Sequence, residues 1–113
     1  MSKLLNLRVI ENIKLASSKR GPEFLELLVS NFLEHSYELI DKINLSFKNK
    51  EPKKFNNYIH QLKGTAASFG AEQLAQLCIE IEATEDSKVE PLVKKLFDCH
   101  NEIQTQIKQA FIS

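Results

Sequence analysis

Apolar residues recur at steps of three and four along nearly the whole chain, and no run alternates apolar and polar long enough to read as a strand. The pattern predicts a short first helix over Leu4 to Ala16, with Leu5, Val9 and Ile13 on one side. Ser17 to Gly21 reads as a loop, and Pro22 suits the first turn of a long second helix reaching Phe47. That helix carries Leu25, Leu28, Phe32, Leu39, Ile43 and Phe47. Lys48 to Glu51 forms a turn and Pro52 starts a third helix, with Phe55, Ile59, Leu62, Ala66 and Phe69 on one face and Gly70 at its end. A fourth helix from Ala71 to about Glu85 buries Leu74, Leu77, Cys78 and Ile81. Asp86 or Ser87 caps the fifth, whose apolar positions are Val89, Leu92, Val93, Leu96, Cys99, Ile103, Ile107 and Ala110. Amphipathic helices joined by short loops favour antiparallel neighbours. The expectation is therefore an all-α, up-down antiparallel four-helix bundle, with the additional short N-terminal helix across one end or extending one corner.

At 113 residues, 42% of them hydrophobic, the chain fits a single domain, and neither repeat, linker nor low-complexity segment divides residues 1–113. Lysine plus arginine equals aspartate plus glutamate, 15 against 15, which argues against nucleic acid as a partner. Asn6, Arg8, Glu11 and Asn12 interrupt the N-terminal apolar residues, so no signal peptide is read there, and nothing downstream is long enough to span a bilayer. The expectations are a cytoplasmic location, no membrane partner and a monomer. Cys78 and Cys99 both sit in apolar helical patterns and read as core thiols rather than a disulfide or ligand pair.

The chemistry concentrates in the third helix, at HQLKGTAASFG, His60 to Gly70. His60, Lys63, Gly64 and Ala67 follow at i, i+3, i+4 and i+7 and share one stripe. On a wheel of about 100° per residue the apolar face defines one direction; Lys63 falls about 80° from it, Ala67 about 120°, His60 about 140° and Gly64 about 180°. His60 thus faces outward, where another protein can reach it. Neutral imidazole is a competent nucleophile near neutral pH, since free histidine titrates at about 6.5. Lys63 supplies a positive charge one turn away, suited to offset a phosphoryl group of about two negative charges. Gly64 costs its helix on the order of 1 kcal/mol relative to alanine, and clearance for a group on His60 or for an approaching protein is a reason to keep it. Taken singly, a tolerated surface glycine and a solvated surface lysine are the plainer readings.

With the residues in register, the chain resembles the histidine-containing phosphotransfer (HPt) domain family. The resemblance rests on His60-Gln61-Leu62-Lys63-Gly64, then Ala66, Ala67, Phe69, Gly70, Ala71, Leu74, Leu77, Cys78 and Glu82. The preceding FLELLVSNFLEHSYELIDKI is similar to that family's long helix before the site, so the likeness covers nearly the whole chain. It implies a four-helix bundle that relays phosphoryl groups between receiver domains of two-component systems. By that likeness His60 accepts the phosphoryl group on Nε2, Lys63 stabilises it, Gly64 leaves space, and Glu82 occupies a position of Gln or Glu that hydrogen-bonds the histidine. Asn56, Asn57, Ala67 and Ser68, on or near the face of His60, are the expected docking surface.

The expected reaction is attack by His60 on a receiver aspartyl phosphate and later return of the group to another receiver's aspartate. The partners implied are receiver domains of a hybrid sensor histidine kinase and of a response regulator. No cofactor is expected on this chain, with Mg²⁺ supplied by the receiver, since no carboxylate cluster suits the ion. With no phosphate-cradling glycine loop, autophosphorylation from ATP is not expected. A di-iron bundle is disfavoured because no Glu precedes His35, His60 or His100 by three residues. The serious alternative is a non-catalytic helical-bundle adaptor that docks receiver domains without carrying phosphate; a histidine kinase's own substrate domain, normally fused to catalytic domains, is a further reading.

Overall fold

The computed structural model describes residues 4–112. It is all-helical among those residues: α1 Leu7–Ser17, α2 Pro22–Lys48, α3 Pro52–Ser68, α4 Glu72–Glu82 and α5 Glu90–Ile112, with short 3-10 turns at Ser18–Arg20 and Asp86–Lys88. Packing closes into a ring: α2 contacts α3 and α5, α3 contacts α4, and α4 contacts α5, while α1 lies against α2 and α5. Among the described residues no helix is long and apolar enough to cross a membrane.

The punctuation is local chemistry. Pro22 and Pro52 stand at the first turns of α2 and α3, where a missing N–H leaves no intrahelical bond unmade. The α3–α4 turn needs Gly70, which has φ 81; a Cβ there would come within 3.0 Å of Ile10 Cγ1 and 3.1 Å of the Asn6 carbonyl. The approach is close because the N-terminal segment is tied to this turn: the Asn6 N–H donates to the Gly70 carbonyl at 2.8 Å, and the Gln73 N–H donates to the Leu4 carbonyl at 3.2 Å.

Several boundaries differ from those the pattern predicts. α1 starts at Leu7, not Leu4, because the Asn6 side chain caps it by accepting from the Arg8 and Val9 amides. Its buried residues are Ile10 and Ser17, with Ile13 partly buried beside them, so the inward face is rotated from the Leu5–Val9–Ile13 stripe. In α2 the buried residue near the start is Val29 rather than Leu28. α4 ends at Glu82, and Asp86 and Ser87 belong to a 3-10 turn rather than capping α5 directly.

The core runs through Phe32, Leu39 and Ile43 of α2, Ile59, Leu62 and Ala66 of α3, Leu74 and Cys78 of α4, and Leu96, Ile103 and Ile107 of α5. At one end Phe69 stacks on Phe32, with centroids 4.5 Å apart, and meets Phe111 at 4.7 Å. Cys78 and Cys99 are free buried thiols; burial pushes the first up to about 12 and the second up to about 11, which keeps both protonated and unreactive at neutral pH.

The apolar pattern passes over a polar pair inside this core, Ser36 and His100, the latter 2% exposed. Ser36 Oγ donates to the Leu33 carbonyl at 3.1 Å, so it must accept from His100 Nε2–H at 3.0 Å. The other ring nitrogen, Nδ1, then accepts from Gln104 at 3.5 Å. Burial holds His100 below the ordinary histidine range. The unfolded chain takes up this proton near pH 6.5 while the folded chain resists it, so the contribution is complete above that pH and is lost as pH falls through the lower folded value. Urea melts from about pH 7.5 to about pH 5 are expected to show stability falling on the acid side, with His100→Gln flattening the slope; equal slopes would exclude His100 as its source.

Candidate functional site

Core anchors fix the orientation of α3. Ile59, Leu62 and Ala66 are each 0% exposed, which turns His60, Gly64 and Ala67 outward. The His60 side chain is 69% exposed. A Cβ on Gly64 would meet nothing within 4 Å, so no neighbour in this protein requires glycine there. Asn56, Asn57, Ala67 and Ser68 are all exposed and fall within about 80° of His60 around the helix axis. The Ser68 hydroxyl is already engaged, donating to the Thr65 carbonyl at 3.0 Å.

Glu82 reaches this face from the last turn of α4. Its Oε2 lies 3.4 Å from His60 Nδ1, and its Oε1 accepts from Lys63 Nζ at 2.7 Å. One carboxylate therefore touches both the imidazole and the ammonium. Lys63, chiefly, and His60 next hold the Glu82 carboxyl below its ordinary range, so it is ionised at neutral pH. An ionised carboxylate only accepts, which assigns the contacted ring nitrogen as N–H and leaves Nε2 carrying the lone pair. Nε2 has no hydrogen-bond partner among the described residues.

The sequence anticipates a carboxylate beside the histidine but not the pairing of that carboxylate with Lys63. The signal was present only as two residues on different helices, and it took the α3–α4 contact to join them. Ile79 was also passed over. It is 47% exposed, one turn before Glu82 on α4, and stands off the buried Leu74–Cys78–Ile81 stripe. An apolar residue outside its helix's apolar stripe was the available signal.

Fold and site together define a class: a helical bundle that displays an accessible imidazole, its outer nitrogen without a hydrogen-bond partner among the described residues and its inner nitrogen held by a carboxylate. The Hpt domain model matches residues 27–110, and the chain belongs to that family. It is similar to histidine-containing phosphotransfer protein 1 of Arabidopsis thaliana, 29% identical over 80% of this chain and 56% of that protein. It is also similar to histidine-containing phosphotransfer protein 1 of Oryza sativa subsp. japonica, 26% identical over 62% of this chain and 49% of that protein. Histidine-containing phosphotransfer protein 5 of Arabidopsis thaliana is 31% identical over 54% of this chain and 41% of its own length. The chain thus spans about half the length of these relatives. No solved structure matches it significantly.

Proposed function

We propose that the protein is a histidine phosphotransfer component of a two-component phosphorelay. The Nε2 lone pair of His60 attacks the phosphorus of a receiver's aspartyl phosphate in line, the P–O bond breaks, and the aspartate leaves as carboxylate. The Nδ1 proton stays on the ring beside Glu82. In the return step another receiver's aspartate attacks the phosphorus, and the P–N bond breaks with its electron pair returning to Nε2. Such transfer depends on positioning and charge neutralisation rather than on covalent machinery. The Mg²⁺ belongs to the receiver, and this chain brings no cofactor of its own.

The observation that carries the reading is the state of His60: an exposed imidazole whose Nδ1 meets a carboxylate at 3.4 Å, in a chain of the Hpt family. Gly64 gives clearance, and Asn56, Asn57, Ala67, Ser68 and Ile79 make the docking surface for receivers of a hybrid sensor kinase and of a response regulator. The ring of helix contacts and the short connections at residues 49–51 and 69–71 support an up-down antiparallel arrangement of α2–α5. A single domain over 1–113, working as a cytoplasmic monomer, completes the proposal. The test is to mix the protein with a phosphorylated receiver: label that survives base but not acid is expected on this chain. Binding without label would favour the adaptor instead, and acid-stable label would place the phosphoryl group on a hydroxyl rather than on His60.

Lys63 serves the phosphoryl group in this scheme. Its ion pair with Glu82 is partly solvated, so Lys63→Ala is expected to cost under about 1 kcal/mol of stability. Phosphate should nonetheless be lost faster, or transferred more slowly, and unchanged kinetics in a single-turnover assay would remove Lys63 from the mechanism.

A further inference from the structure

We infer that the negative charge of Glu82, acting through the Nδ1–H of His60, makes the phosphorylated state short-lived and ready to give up its group. The inference rests on the phosphohistidine reading above and concerns how that one site is regulated.

Among the described residues, two charged side chains make the polar contacts of this site. Glu82 comes from α4 and Lys63 from the same helix as His60. On α2, Lys42 lies over the ring of Tyr58, two residues before His60 and about 200° away around α3. The Cys78 thiol, one turn before Glu82, is pushed up to about 12 and stays neutral. In the unphosphorylated protein the Lys63 ammonium and the Glu82 carboxylate cancel at 2.7 Å.

A phosphoryl group on Nε2 changes that balance. It brings about two negative charges within reach of Lys63 and competes with Glu82 for the ammonium. As Lys63 turns toward phosphate, Glu82 is left uncompensated against Nδ1. An uncompensated carboxylate favours the protonated, positively charged ring. That proton decides the leaving group. When water or a carboxylate attacks the phosphorus, the P–Nε2 bond breaks and its electron pair goes to Nε2. A ring that keeps its Nδ1 proton departs as neutral imidazole, whereas a ring without it would have to depart as imidazolate. Glu82 is thus a positioning residue: it touches neither phosphate nor attacking group, and it sets how much of the phosphohistidine carries the proton that release requires. A glutamine at this position would keep a hydrogen-bond acceptor for Nδ1–H and remove the charge.

The test loads His60 with potassium phosphoramidate, from which Nε2 displaces ammonia, and follows hydrolysis of the phosphohistidine against pH. Hydrolysis quickens as the ring protonates. Because the contact is long and partly solvated, Glu82→Gln is expected to move this profile to lower pH by about half a unit, giving a half-life about threefold longer near pH 7.5. The shift should also appear when Lys63→Ala and Lys63→Ala/Glu82→Gln are compared, because it acts through the ring. An unmoved profile overturns the inference, and so does a shift that appears only when Lys63 is present. Failure of the relay reading would look different: the loaded protein would not pass its phosphate to any receiver aspartate, whatever the profile.

Discussion

Replacing His60 by glutamine is expected to abolish phosphoryl acceptance from a phosphorylated receiver while leaving the helical fold intact. The two halves of this result have separate physical causes. The side chain is 69% exposed and its hydrogen-bond contact is with Glu82, itself on the surface, so its loss should change stability by less than about 0.5 kcal/mol. Glutamine has an amide in place of the imidazole, with no nitrogen lone pair fit to attack phosphorus. Transfer should therefore fall by on the order of a thousandfold or more, since removing a nucleophile leaves only binding and positioning. A single-turnover assay beside a thermal melt separates the two. Residual transfer near the wild-type rate would place the acceptor elsewhere.

Gly64 is expected to give a result of opposite signs. A side chain at this position has open space within the protein itself, and glycine inside a helix is poorer than alanine by about 1 kcal/mol. Gly64→Ala should therefore raise stability by about 0.5–1 kcal/mol. Gly64→Gln should also be tolerated by the fold, yet its side chain rises one turn from His60 on the face a receiver must cover. Transfer should slow by about tenfold or more if an in-line approach at about 3 Å is obstructed. Urea melts and transfer rates on the same preparations check both signs. A Gly64→Gln protein that transfers at the normal rate would leave the glycine without a functional account.

The sequence was informative where one periodicity dominated. α3 carries four buried residues at helical spacing, and the wheel orients His60, Lys63 and Gly64 correctly relative to them. Proline at the starts of α2 and α3 and Gly70 after α3 made those limits legible. The pattern was least informative where polar groups decide. Asn6 moves the start of α1, and the Ser36–His100 pair sits inside the core although neither residue is apolar. The Lys63–Glu82 ion pair joins residues 19 positions apart on separate helices, a relation that spacing alone does not encode. Its consequence is chemical: the cation expected to wait for phosphate is held by a carboxylate, and that carboxylate also holds the histidine.

The most direct test of the central claim is to ask which atom carries the phosphate. The protein, with histidine labelled in both ring nitrogens by nitrogen-15, would be phosphorylated by a receiver and examined by nuclear magnetic resonance. One ring nitrogen should acquire coupling to phosphorus, and it should be Nε2 of His60, with Nδ1 still bearing its proton. Phosphate on Nδ1, on His35 or His100, or on no histidine at all would contradict the account.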